Sequence, residues 1–201
     1  PNDEAVLNQG MRTTLAKMLG DQVDMANELY AFGLVSREEA HNLVLTAKAA
    51  ANETMQLSEE LTEKLSRGAI SPTEYSLEMK HVVLPVLAQN FGVTFQSSNL
   101  LQRVAASEHL SDTSKQTAKS ILNSSGGMQE NAITHIYPSS ALVVRDAYGL
   151  HLTYSTSMGM DVTSVDMDSL PRGDVQSSID VILHEATHTA TSQTISNTLQ
   201  E

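Results

Sequence analysis

His184, Glu185 and His188 stand in the pattern H-E-x-x-H inside the run Val181-Ile-Leu-His-Glu-Ala-Thr-His-Thr-Ala190. On a helix, residues i and i+4 lie on one face, one turn apart. That spacing lets His184 and His188 aim two imidazole nitrogens at a single cation, at the distance of about 2.0–2.1 Å that zinc prefers. Glu185 lies about 100° round the helix from His184, where its carboxylate reaches metal-bound water rather than the metal. It would act there as general base, taking a proton from a water that zinc has already acidified. The three residues are thus two ligands and a base for hydrolysis.

A catalytic zinc needs three protein ligands beside its water. The extended pattern H-E-x-x-H-x-x-G-x-x-H does not continue, because Thr191 stands at the glycine position and Thr194 at the last histidine. On an unbroken helix Glu201 would lie roughly 20 Å from His188, at about 1.5 Å per residue. His135 and His151 fall on expected strands and are the other candidates. Cysteine is absent, so any metal must rest on His, Asp and Glu.

The element that positions the motif is a helical pattern from Ser178 to Gln200. Val181, Ile182 and Leu183 precede the motif, Ala186 and Ala190 flank it, and no Asp, Glu, Lys or Arg stands between Glu185 and Glu201. The helix is therefore expected to be largely buried. Burying two histidines and a carboxylate is costly unless something satisfies them, which a metal would do.

Upstream, β-branched or alternating runs predict short strands over 133–137, 141–145, 148–155 and 161–167. A loop, Leu170-Pro-Arg-Gly-Asp174, separates the last of them from the motif helix. Two shorter helices are expected over 97–109 and 111–123, followed by the turn Asn123-Ser-Ser-Gly-Gly127.

Residues 1–92 read as helix throughout. Leu7, Met11, Leu15, Met18 and Leu19 recur at helical spacing, and Val23, Met25, Leu29 and Tyr30 continue the pattern. Gly33 breaks it. Ser36-Arg-Glu-Glu39 is a capping box that opens a long helix to about Arg67, which Gly68 ends. Ser71-Pro-Thr-Glu74 starts a third helix, in which Pro85 predicts a kink or break. The methionines of this region read as gap fillers in a helical bundle.

The fold class expected is α+β: a bundle-like helical region over 1–95, then a domain over 96–201 with a small mixed sheet and the motif helix. The formal net charge of −12 excludes a nucleic-acid binder that works by displacing counterions from phosphates, and disfavours anionic membranes. No apolar run approaches the roughly 18 residues of a membrane span, and the first residues do not form a signal-peptide start. The helical pattern runs to Gln200 with no Gly or Pro to stop it, and the chain begins at Pro1. A piece of a longer polypeptide is expected, truncated at the C-terminal end of its second domain.

The segment Leu183-His-Glu-Ala-Thr-His-Thr-Ala-Thr191, with the strand Val162–Met167 before it and the helix pair from Leu100-Leu101 to Leu122, resembles one family. It is similar to the zincin-like metallopeptidase domains embedded in very large phage and mobile-element polypeptides, which carry a "LLHELTHAAT" helix. The resemblance covers roughly residues 97–201. It implies a zincin fold, Zn2+ as cofactor, His184 and His188 as ligands and Glu185 as base. It also implies a peptide substrate paired along the edge strand at Val162, Ser164 and Asp166. The family's third ligand is a Glu on a later helix, in a Glu-Phe-x-x-Glu type segment, and these 201 residues contain no such segment.

The function so implied is zinc-dependent peptide hydrolysis by part of a larger, virion-associated or cytoplasmic polypeptide. Its partners would be a peptide or protein substrate and the remainder of the parent polypeptide or other virion proteins. Two alternatives stand beside it. One is a structural or assembly fragment with a degenerate, catalytically incomplete zincin fold; the other is a helical adaptor whose acidic face binds a basic partner.

Overall fold

Helix α1 (Asp3–Ala31) buries Leu15, Met18, Gln22, Met25 and Leu29, positions three and four residues apart that form one stripe. Helix α2 (Arg37–Ser66) answers with small residues, burying Ala47, Ala51, Thr54 and Ser58 along its facing side. The two run antiparallel. Asn8 meets Thr62 through a 2.8 Å hydrogen bond, Arg12 pairs with Glu59 at 3.3 Å, and Gln22 reaches the Leu43 carbonyl at 3.4 Å. In this computed structural model the described residues are 3–124, 133–138, 140, 162–166, 176, 179–184 and 186–187.

The stop and start signals act as expected. After α1, Gly33 takes φ +72, the Gly33 N–H donates to the Tyr30 carbonyl, and the Leu34 N–H donates to the Leu29 carbonyl at 2.9 Å. Gly68 repeats the device after α2 at φ +74, with Ala69 donating to the Lys64 carbonyl at 2.8 Å. Both are Schellman closures, in which a left-handed residue lets two orphan carbonyls find donors. The capping box at Ser36 is complete: Ser36 Oγ accepts from the Glu39 N–H at 3.0 Å, and Glu39 Oε1 accepts from the Ser36 N–H at 2.8 Å.

Helix α3 (Pro72–Glu78) opens on the second capping box, at Ser71, and passes into a π-helical turn, Met79–Val83, before α4 (Leu84–Gln89). The kink or break expected at Pro85 takes this form. Proline lacks an N–H and its ring crowds the carbonyl four residues back, and one wide turn just before it relieves that conflict.

Three strands form a mixed sheet in the order β1 (Val93–Gln96), β2 (Ile133–Tyr137), β3 (Val162–Asp166). β1 and β2 are antiparallel, with Val93 opposite Ile136 and Gln96 opposite Ile133; β2 and β3 are parallel, with Ile133 beside Val162 and Tyr137 beside Asp166. Helices α5 (Ser97–Ala106) and α6 (Asp112–Asn123) follow β1 directly in the chain. Predominantly helical with a small sheet, the described residues have α+β character. The strands expected over 141–145 and 148–155 lie outside the described residues. β1 is an addition to the expected strands: its four residues lie between two helical patterns.

The buried side chains form two clusters. One joins Leu15 and Met18 of α1 to Ala47, Ala51 and Leu61 of α2 and to the segment from Met79 to Phe91. The other draws Met25, Leu29, Leu34 and Val35 together with Phe95, Leu100, Val104, Ile121, Ile136, Ile179, Ile182, Leu183 and Ala186. Residues before and after position 95 thus share the core on which the motif helix rests. Arg103 of α5 adds a polar tie across that boundary. It grips Glu39 with two bonds of 2.8 and 3.0 Å, donates to the Leu34 carbonyl at 2.8 Å, and lies 5.7 Å from the Phe95 ring centroid. The guanidinium holds the Glu39 carboxyl below its usual range, more strongly than partial burial raises it, and the Ser36 N–H adds to the effect.

Candidate functional site

Residues 179–184 and 186–187 are helical. Ile179, Ile182, Leu183 and Ala186 are at most 5% exposed, whereas Asp180, His184 and Thr187 are exposed. Asp180, His184 and Thr187 recur at four and three residues, so they form one strip that turns away from the core. The largely buried helix expected from composition is, among the described residues, an amphipathic one. A single apolar stripe anchors it, and His184 remains outside. The desolvation cost that favoured a metal for a buried imidazole therefore does not fall on His184. Glu185 and His188 lie outside the described residues.

His184 borders a cleft of about 270 Å³ between the motif helix and α6, lined by Thr113, Ser114, Thr117, Asp180, Leu183 and Thr187. The lining is rich in hydroxyls, and hydrogen bonds fix one end of it. Ser111 is the N-cap of α6, its Oγ accepting from the Ser114 N–H at 3.2 Å. The Ser114 hydroxyl donates to Asp180 Oδ1 at 2.9 Å. Gln176 Nε2 donates to both Asp180 Oδ1 and Ser114 Oγ at 2.9 Å, and its Oε1 accepts from the Ser111 N–H at 3.1 Å. The start of α6, through the Ser111 N–H and the Ser114 hydroxyl, is thereby joined to the Gln176 and Asp180 side chains before His184. Ser114, Gln176 and Asp180 belong to no motif in the sequence. Asp180 alone carries a signal, since it precedes His184 by one helical turn.

The remaining candidates are distributed as follows. His135 is on β2 opposite Thr94, whose Oγ1 meets His135 Nδ1 at 2.8 Å. Its neighbours Thr134 and Ile136 are buried, at 2% and 0% exposure. Strand alternation therefore puts His135 on the face opposite Ile136 and away from the cluster that holds the motif helix. That placement does not bring it to His184 as a third ligand. His151 and Glu201 lie outside the described residues. Among the described residues no three His, Asp or Glu side chains gather as a metal site. Val162, Ser164 and Asp166 stand in register with Ile133, His135 and Tyr137, and β2 is the one neighbour of β3 among the described strands.

A larger cleft of about 460 Å³ lies between α2 and β1, lined in part by Asn42, Thr46, Asn90, Thr94 and Asn99, and includes no residue of the motif helix. Its one acid and one base, Glu39 and Arg103, are spent on each other. Among the described residues no helix is long and apolar enough to cross a membrane. No protein-family model, curated protein or solved structure matches this chain.

Proposed function

We propose that this chain carries a zinc-dependent metallopeptidase-like site, with His184 and His188 as ligands and Glu185 as the base that activates a metal-bound water. The observation that carries the proposal is the H-E-x-x-H spacing on a segment whose described residues are helical, with its first histidine at a surface cleft. Neutral imidazoles one turn apart are a donor pair suited to zinc, and an exposed His184 leaves room for both metal and substrate. The zincin fold, and a substrate peptide added along β3 at Val162, Ser164 and Asp166, belong to the same proposal. So do the domain division at 95/96 and the setting within a larger phage-like or virion polypeptide.

Metal analysis of the full chain tests it, with stoichiometric zinc as the expected result and its loss in His184→Ala. Peptide hydrolysis should fall by about 10²–10⁴-fold in Glu185→Gln, as removal of a general base requires. Unchanged hydrolysis in that variant would exclude Glu185 as the base.

A structural or assembly role is the second reading, favoured by the network of Ser111, Ser114, Gln176 and Asp180. That network spends the polar groups near His184 on helix-to-helix attachment. A chain that binds no zinc and retains its fold in chelator would support this reading.

A further inference from the structure

The cleft of about 460 Å³ between α2 and β1 is bordered by every residue of the strand in turn, Val93, Thr94, Phe95 and Gln96. Strand side chains alternate between faces, so a cleft that touches consecutive residues runs along the strand's edge rather than over one face. β1 is an outer strand of the described sheet, with β2 as its neighbour. In an antiparallel pair alternate residues exchange both their bonds with the partner, and the peptide groups between them point outward. Gly92, just before the strand, has its N–H and carbonyl taken by the Gln22 amide. Among the described residues, Val93, Thr94 and Phe95 make no backbone hydrogen bond outside the β2 ladder. β1 also lacks the charge or proline that commonly guards an open edge.

The opposite wall is α2, where Asn42 and Thr46 are exposed one helical turn apart and border the same cleft. That turn advances about 6 Å, at about 1.5 Å per residue. Two residues of extended chain advance about 6.6 Å, the interval at which one edge of it repeats its peptide groups. A carboxamide both donates and accepts, as a peptide group does. The charged residues of the lining, Glu39 and Arg103, neutralise each other and leave nothing for a charged side chain to pair with. A second copy would bring its own α2 beside its own β1, so an extended segment free of any sheet is the better fit. We infer that the cleft binds an uncharged, extended peptide as an added strand on β1, with Asn42 and Thr46 holding the peptide's outer edge. The site shares no residue with the motif helix, and it stands apart from the zinc assignment.

The test pans the full chain against phage-displayed random linear peptides, then measures a selected sequence as an end-capped, fluorescent peptide by anisotropy. Selected sequences should be uncharged and free of proline at their centre. Thr46→Trp, which fills the cleft from an exposed helix position, should abolish binding and melt with wild type, since the two residues have similar helix propensity. Asn42→Ala should weaken binding by about 2–10-fold, the worth of one hydrogen bond. N-methylation of the peptide one residue at a time, against the wild-type chain, should show a period of two. Methyl groups facing β1 abolish binding, and those facing α2 cost about as much as Asn42→Ala. Recovery of no peptide, binding that survives Thr46→Trp, or an N-methyl scan without alternation would each overturn the proposal. Binding lost in excess chelator would move the peptide to the motif helix and overturn it as well. So would a dimer of the free chain that Thr46→Trp dissolves, which would give the cleft to a second copy.

Discussion

Gln22 occupies a core position of α1, between Met18 and Met25 in the stripe, and is 0% exposed. Its amide is used at both ends: Oε1 accepts from the Gly92 N–H at 2.8 Å, and Nε2 donates to the Gly92 carbonyl at 3.1 Å. One side chain thus satisfies the peptide groups of the residue that leads into β1, where the backbone takes φ +81. Gln22→Leu would bury those groups without partners. It should cost about 1–3 kcal/mol in urea unfolding, the range for an orphaned buried donor or acceptor; an unchanged midpoint would show that water takes over the role. His184 is the opposite case. Being exposed, it should be replaceable by alanine with a change within about 0.5 kcal/mol in chelator, even though the same change removes a proposed zinc ligand. A large loss of stability in chelator would place His184 among the fold's supports instead.

Helix ends carry the clearest consequences at the level of elements. Ser36→Ala removes the acceptor for the Glu39 N–H and should destabilise by about 1 kcal/mol, measured by thermal unfolding. Gly68 has open space around its Cα, with nothing within 4 Å of an added Cβ, yet its φ is +74. Gly68→Ala should therefore cost about 1–2 kcal/mol through backbone conformation alone. A neutral result would mean that the Schellman closure can shift by a residue. The π-helical turn before Pro85 shows a different economy. The chain keeps its helical direction through a proline by widening one turn, and Met79 and Val83 of that turn remain buried.

For the molecule as a whole, the bond between Glu39 and Arg103 ties the α1–α2 hairpin to α5 and makes stability depend on pH. Glu39 has a lowered folded value, so the pair contributes fully above the unfolded glutamate value of about 4.3. The contribution is lost as pH falls through the lowered folded value, because protonation removes the charge that Arg103 grips. Wild type and Glu39→Gln should therefore differ in urea midpoint at pH 7 and converge toward pH 3; a constant difference would assign the effect to packing.

Much of this arrangement was legible in the chain itself. Ser36, Gly33, Gly68 and the 133–137 strand could be read because their signals act within a few residues: a hydroxyl three positions from an N–H, a left-handed glycine, a period of two. The H-E-x-x-H spacing was legible for the same reason. β1 was not, since four residues become a strand only by pairing with β2, some forty positions later. Nor could the sequence say that His184 would stand outside the core. The apolar residues around it allowed burial on more than one side, and the choice fell to the stripe that Ile179, Ile182 and Leu183 presented to the shared core. His135 was sent to the far face by strand register, and Asp180 was fixed by a serine sixty-six positions earlier. The sequence by itself determined which residues could do chemistry and where each helix starts and stops, because local hydrogen bonds and backbone sterics decide those. Only the tertiary structure decided which of those residues face the same cleft, because that depends on packing between segments far apart in the chain.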